Sequence, residues 1–529
     1  MSGFWAVYRD FDGVRRPACH FPSLIDASAE ELQFGLEYGC FSSVDLVNTY
    51  IQRIIEVNET VHAVTELDSD AVKVAAKLDR ERRAGKSRGP LHGLPILVKG
   101  NIAVKDNLET TAGSYALLGA RVREDATVIT KLKDAGAIIL GMTGMSQWMN
   151  FRSTNSTNGW SAYGGQVYGA YHVGQSPCGS SSGSGVASDL GLAFGAIGTE
   201  TSGSIICPCD LNNIVGIKPT VGLTSRHMVV PVSERADTVG PMTRSVKDAA
   251  LLLQTMAGRD AKDNYTSAIP FSYSPDYVTA CKMSGLQGKR IGIPRNALDS
   301  LADSAPVLDA FKAAVNVLCD AGAIIVDNTN YTMLAEFYDS QLPMNILLAD
   351  ANAALPRYFA NLAANPHNIT SISDLRAFTQ NHALEEYPAR NTQLWDNIID
   401  SNPDNTSPEF WSMLQSVRQF GDEGGLLGAL RRNTLDAVVL PSTVSPDIPA
   451  IVGAPVISVP MGAWPEDTKV VHSEDGKTPE RGPGLPIGLS FVGDLWSEEM
   501  LVGMAYAYEQ RSRVRHKLRR FVQPSTELC

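Results

Sequence analysis

Residues 174–204, GQSPCGSSSGSGVASDLGLAFGAIGTETSGS, restrict the fold more than any other stretch of the 529-residue chain. A Gly/Ser-rich loop at 179–185 leads into small apolar residues read as a helix over 186–194, and a second Gly/Ser turn follows at 202–204. A flexible linker would not continue into tightly patterned small apolar residues. A phosphate cradle of the G-x-x-x-x-G-K-[ST] type fails because no lysine follows Gly185. A nucleophile elbow fails as well, since Gly183-Ser184-Gly185 is too short for G-x-S-x-G on a strand-to-helix junction. What remains is a pair of serine-bearing turns. Glycine tolerates φ > 0 and lets backbone N–H groups converge. A serine among such donors is placed for acyl transfer, because the tetrahedral oxyanion needs them.

That serine needs a base. The nine histidines are scattered, and none stands in a workable triad order. A lysine serves when it is desolvated and neutral. Lys99 meets the requirement, because it follows the apolar run Ile96-Leu97-Val98 and precedes Gly100. The competing reading is a surface lysine that snorkels from a strand end.

The rest of the chain has the rhythm of an α/β sheet. Residues 28–85 read as three helices, the first entered at Ser28 with Glu30 and Glu31 in its first turn. Short apolar runs at 94–98, 137–140, 290–294, 323–326, 437–441, 456–460 and 488–492 read as strands. Helical patterns at 127–135, 305–320 and 497–512 alternate with them. Residues 335–430, rich in Asn, Ala, Trp and Tyr, read as irregular helices that cap the sheet. The polar, Pro/Gly-rich stretch 464–484 reads as an exposed loop.

Hydrophobic residues make up 44% and charged residues 19%, which excludes a mostly disordered chain. A net charge of −12 disfavours nucleic acid and anionic membrane as partners. Eight cysteines are too few and too scattered for a disulfide scaffold. Cys207-Pro208-Cys209 has no second Cys/His cluster nearby, so the cysteines read as small buried thiols ahead of zinc ligands. The opening residues carry no basic stretch followed by an apolar one, and no apolar run approaches the ~18 residues of a membrane span. The closing PSTELC is neither a peroxisomal nor a prenylation signal. The expected compartment is the cytoplasm.

Six motifs in order resemble the amidase signature family, over roughly residues 44–512. They are HGLPILVKGNI at 92–102, SPCGSSSGSG at 176–185, GTETSGSIICP at 198–208, VGIKPTVGLTSR at 215–226, DTVGPMTRSVKDAALLL at 237–253 and GLPIGLSFVG at 484–493. Within the family, MNFRSTNSTNGWSAYGGQ at 149–166 and the C-G-S-S-S-G-S variant look most like the peptide amidases. The resemblance implies an α/β fold with a large mixed, mostly parallel twisted sheet covered by helices on both faces. It implies an N-terminal extension over 1–43, a catalytic domain over 44–512 that includes the helical cap at 335–430, and a C-terminal tail over 513–529.

The resemblance also implies a Ser–Ser–Lys triad in which Ser204 is the nucleophile, Ser180 the bridging serine after a cis bond from Gly179, and Lys99 the base. The oxyanion donors would be the backbone N–H groups of Thr201, Ser202, Gly203 and Ser204. Ser181 and Gly179 would support the site, and the Met149 carbonyl would face the substrate. No metal or organic cofactor is implied. The implied substrate is a C-terminal peptide amide or another small amide, and a homodimer is the assembly allowed for. Two other readings stay open: a subunit that releases ammonia from glutamine for an amidotransferase partner, and a silent binding protein on the same fold. Ser202, Glu200 and Ile206 depart from the family's usual Gly, Asp and Arg, as does Gly141-Met142-Thr143-Gly144 from its G-K-T-N. These departures bear on substrate rather than on the triad.

Overall fold

The computed structural model describes residues 8–11, 14–17, 19 and 21–529, except 106 and 274. The first seven residues, part of the stretch read for a leader, lie outside the described residues.

One eleven-stranded sheet organises the chain. Its strands are β1 (Val64–Leu67), β2 (Pro95–Lys99), β3 (Ile138–Thr143), β4 (Gly195–Glu200), β5 (Val215–Lys218), β6 (Thr238–Thr243), β7 (Arg290–Gly292), β8 (Ile324–Val326), β9 (Ala437–Pro441), β10 (Val456–Ala463) and β11 (Pro486–Val492). They lie in the order β8-β7-β9-β11-β10-β5-β6-β4-β2-β3-β1. The sheet is large and mixed, as expected. The expected parallel pairing occurs in two blocks, β8-β7-β9 and β4-β2-β3. Between them, from β9 to β4, every neighbouring pair is antiparallel. Strands β2, β3, β4, β9 and β11 are buried along their whole length, which is why they read as continuous apolar or small-residue runs.

The first two helices begin where the sequence signals them. α1 (Ala29–Glu37) is entered through Ser28, which forms a capping box with Glu31. α2 (Ser43–Val61) has the same device from Ser42 and Asp45. α3 (Ala71–Arg83) and α4 (Thr127–Asp134) follow. α5 (Ser182–Asp189) starts inside the Gly/Ser run, four residues before the expected helix, and the chain then enters β4. Its serines make this tolerable. Ser184 Oγ donates to Ile197 O at 3.1 Å and Ser188 Oγ to Met242 O at 2.8 Å, so the hydroxyls bind neighbouring strands. α5 and α6 (Ile206–Leu211) lie over one face of the sheet. α4, α7 (Val246–Met256), α8 (Ala305–Asp320) and α16 (Glu498–Ser512) form the layer over the other. No helix among the described residues is long and apolar enough to cross a membrane.

Residues 334–433 carry six helices: α9 (Leu334–Asp339), α10 (Leu342–Ala360), α11 (Ile372–Asn381), α12 (Gln393–Ser401), α13 (Pro408–Gly421) and α14 (Leu426–Asn433). α15 (Asp447–Val452) follows β9. Leu355, Phe359, Leu375 and Trp395 of this region form an apolar cluster with Leu117, Trp148 and Phe151. Trp148 and Trp395 meet edge to face with centroids 5.8 Å apart. Below them Glu385, fully buried, pairs with Arg152 at 3.0 Å and accepts from Ser114 Oγ, Tyr115 N and Gln147 Nε2. This pins the helices onto the loop that carries Met149.

Trp395 is 0% exposed and its indole N–H has no hydrogen-bond partner among the described residues, so truncation removes packing and none of the described hydrogen bonds. Trp395→Ala is expected to cost roughly 3–5 kcal/mol, as large aromatic deletions in cores do. Chemical denaturation should show a lower unfolding midpoint, with Trp395→Phe between the two. An unchanged midpoint would contradict the packing account.

Two expectations from the sequence need correction. Cys19–Cys40 and Cys178–Cys207 are disulfides, so four cysteines are not free buried thiols. The partners stand 21 and 29 residues apart, and spacing alone could not pair them. Cys209 remains a buried thiol, its pKa pushed well up by desolvation. The stretch 464–484 is not wholly exposed. It forms a hairpin of Val471–His472 with Pro479–Arg481, Thr478 is buried, and Pro479 O accepts from Ser176 N at 2.8 Å.

Candidate active site

Lys99 ends β2 and is fully buried. The parallel pairing of β2 with β4 sets Val98 opposite Ile197, which brings Lys99 beside Thr199. Its Nζ donates to Thr199 O at 3.0 Å and to Thr199 Oγ1 at 2.9 Å, and lies 2.7 Å from Ser180 Oγ. Desolvation pushes the ammonium pKa well below the ordinary lysine value, and the more distant charges of Glu200 and Asp237 only partly oppose this. Among the described residues Lys99 has no ion-pair partner. A snorkelling surface lysine is therefore excluded, and burial disfavours the charged form of the side chain.

Ser180 lies in the loop before α5, buried, after a cis Gly179–Ser180 bond. Gly179 is required there by close approach: a Cβ would stand 2.2 Å from Ser146 Oγ. Ser181 ties its loop to the Ser204 turn and to β4. Its N–H donates to Ser204 O at 3.1 Å, its Oγ donates to Thr199 O at 3.0 Å, and it accepts from Thr199 N at 3.3 Å.

Ser204 closes the turn between β4 and α6 and is 6% exposed. Among the described residues its hydroxyl has no hydrogen-bond partner, and neither do the backbone N–H groups of Thr201, Ser202, Gly203 and Ser204. Gly203 takes φ +77°, which allows the turn to reverse. The next two N–H groups are occupied. Glu200 Oε2 accepts from Ile205 N at 2.7 Å and from Ile206 N at 2.9 Å, capping α6. The turn thus presents one hydroxyl and a row of unused donors at one place, a geometry suited to a developing oxyanion.

The turn is held from outside by carboxylates. Asp237 accepts from Thr201 Oγ1 at 2.6 Å and from Val232 N and Ser233 N. Burial pushes the Asp237 carboxyl up to about 6. Asp447 accepts from Ser202 Oγ at 2.9 Å, which gives the serine that replaces the usual glycine a partner.

Met149 is half-buried in a run of three left-handed non-glycine residues, Trp148, Met149 and Asn150, with φ of 50°, 57° and 66°. Such backbone persists where its surroundings over-determine it. The run is tied to the site, because Ser146 N donates to Ser180 O at 3.1 Å and Met149 N to Ser146 O at 3.0 Å. Reasoning from sequence does not reach Thr199, Asn101, Asp237 or Asp447. Asn101 Nδ2 donates to Thr199 Oγ1 at 3.1 Å. Thr199 lies inside a quoted motif, but its contact with Lys99 follows from strand pairing that no spacing encodes.

Beside Thr201 and Ser202 opens a cleft of about 360 Å³. Its walls are mainly apolar, from Phe337, Met344, Leu347, Leu414 and Ile451, and Arg235 in its lining is paired with the buried Asp350. A larger cleft, about 930 Å³, lies around Gln33, Arg82, Lys247 and Gln254, and none of the site residues lines it. Among the described residues no cluster of three His, Cys, Asp or Glu could hold a metal ion.

The family model described as Amidase matches residues 45–502. A protein of Arthroderma benhamiae that carries an amidase name is 57% identical, over 97% of this chain and 90% of its own length. The crystal structure of a peptide amidase from Stenotrophomonas maltophilia superposes with a TM-score of 0.83 at 38% identity, covering 95% of this chain and 99% of its own. One component of the glutamyl-tRNA(Gln) amidotransferase of Prochlorococcus marinus is 30% identical over 89% of this chain and 94% of its own length.

Proposed function

The chain belongs to the amidase family and hydrolyses amide bonds, and we propose that it does so through an acyl-enzyme on Ser204, with Ser180 and Lys99 as the proton relay. The main support is the 2.7 Å approach of Lys99 Nζ to Ser180 Oγ in a site where burial disfavours the ammonium. A neutral amine has two hydrogens, which Thr199 O and Oγ1 accept, so its lone pair is left for the Ser180 hydroxyl. Lys99 takes the Ser180 proton while Ser180 takes that of Ser204, and Ser204 Oγ attacks the amide carbon. The N–H groups of Thr201–Ser204 receive the oxyanion. The relay returns the proton to the leaving nitrogen, and water then releases the acid by the same path.

We assign the substrate to carboxamides with a bulky, mainly apolar acyl part, of which C-terminal peptide amides are the leading class. When ammonia leaves, only the acyl part is large enough to fill the cleft beside Thr201 and Ser202. Met149, whose loop is tied to Ser180 through Ser146, would face the substrate through its carbonyl. The weaker likeness to the amidotransferase component, 30% against 57% for the amidase-named relative, makes glutamine the second class. The two disulfides argue for oxidising surroundings in place of the cytoplasm expected from the sequence, since disulfides are rare where thiols are kept reduced.

The test is ammonia release from capped peptide amides, small aliphatic amides and glutamine. Apolar peptide amides are expected to have the highest kcat/KM. Met344→Trp, which narrows the mouth of the cleft at an exposed position, should lower kcat/KM for them about tenfold or more and leave small amides unaffected. An equal effect on both classes would remove the cleft from substrate binding, and preferred turnover of glutamine would favour the amidotransferase-type reading.

A further inference from the structure

We propose that the Cys178–Cys207 disulfide is a positioning element of the reaction, clamping the turn that carries Ser180 to the turn that carries Ser204. The proposal rests on the relay reading above. Cys178 directly precedes Gly179-Ser180, and Cys207 comes three residues after Ser204. Their Cα atoms are 5.8 Å apart. Each half of the bridge is also hydrogen-bonded into the turn that it serves. Cys207 N donates to Gly203 O at 2.7 Å, and Ser182 Oγ donates to Cys178 O at 2.6 Å. Cys178 itself holds φ +55°, a conformation that L residues rarely adopt, so the bridge enters the serine loop at a constrained point.

The need for a clamp follows from composition. The loop at 179–185 contains only glycine and serine, which bring little side-chain mass to hold a fixed shape. Among the described residues, one hydrogen bond joins the two turns directly, from Ser181 N to Ser204 O at 3.1 Å. Proton transfer from Ser204 to Ser180 requires their oxygens to meet at hydrogen-bond distance. A misplacement of about 1 Å at such a point costs about 10²-fold in rate. The other disulfide, Cys19–Cys40, lies near the amino end of the described chain, and no site residue is within two positions of either half. It is therefore the bridge to remove when the clamp is tested.

The test uses the full chain carrying Cys19→Ser and Cys40→Ser, so that Cys178–Cys207 is the disulfide left to reduce. Cys207 is half-buried and lines a surface pocket with Cys178, so a small reductant reaches it. Dithiothreitol supplies two electrons and two protons, closes to its cyclic disulfide and leaves two thiols, which alkylation and mass measurement count. The expected result is a fall of roughly 10–100-fold in kcat and in the rate of Ser204 labelling by a fluorophosphonate, with KM within about twofold. Circular dichroism should show the reduced protein still folded at the assay temperature, and reoxidation should restore the rate. Cys178→Ser/Cys207→Ser should show the same loss without recovery on oxidation. Full kcat in the reduced, folded protein would overturn the proposal, as would a loss that appears only when the protein unfolds. If Ser204→Ala is still labelled, the relay reading fails, and that outcome is distinct from any result with the cysteines.

Discussion

Ser204→Ala is expected to reduce amide hydrolysis on the order of 10⁶-fold, to the residual rate that oxyanion donors and binding alone supply. The fold should be nearly untouched. The Ser204 hydroxyl has no hydrogen-bond partner among the described residues, so its loss strands no other polar group. Its backbone carbonyl, which accepts from Ser181 N, is retained. An unfolding midpoint close to that of the parent, together with turnover at background level, would support the assignment. Measurable turnover near the parent rate would remove Ser204 from the chemistry.

Ser180→Ala is expected to lose about 10²–10⁴-fold, the usual worth of a general acid–base step, because the relay loses its middle atom while Ser204 Oγ remains. Lys99 would still be held by Thr199 O and Oγ1, so the loss is one of proton transfer and not of local structure. Lys99→Ala should fall in the same range. The two losses should not add, since in the proposed relay both residues serve one proton path. The pH dependence has a definite sign. Burial lowers the Lys99 pKa, and only a neutral amine accepts a proton, so with Lys99 as the proposed base kcat is expected to rise with pH through that pKa and to be lost below it. Lys99→Ala should abolish the limb due to Lys99. The same burial makes folding stability rise with pH, between the lowered folded pKa and the higher unfolded one, because the unfolded chain binds the extra proton there. A pH profile that keeps its shape in Lys99→Ala would contradict the assignment of the base.

Several of these elements are legible from residues alone. The helix expected over 305–320 is α8, with Val307, Phe311, Ala314 and Leu318 inward at helical spacing. Lys99 at the end of an apolar strand stands out because a lysine in that place is unusual. Other features are hidden for physical reasons. α5 starts in a Gly/Ser run whose intrinsic preference opposes helix, and contacts of its serines with β4 and β6 override that preference. β4, GAIGTE, lacks the β-branched run of an ordinary strand, and its place comes from pairing with β2 and β6. Asp237 lies 36 residues from Thr201, and Asp447 lies 245 from Ser202, so the carboxylates behind the turn exist only once the sheet has formed. The disulfides are hidden for the same reason.

The most direct measurement is the site of covalent labelling by a fluorophosphonate, mapped by mass spectrometry on peptides of the intact enzyme. One adduct is expected, on Ser204, absent from Ser204→Ala and formed much more slowly in Ser180→Ala and Lys99→Ala. An adduct on Ser180 or Ser202, or labelling of Ser204 at the parent rate when Lys99 is replaced, would contradict the proposed relay.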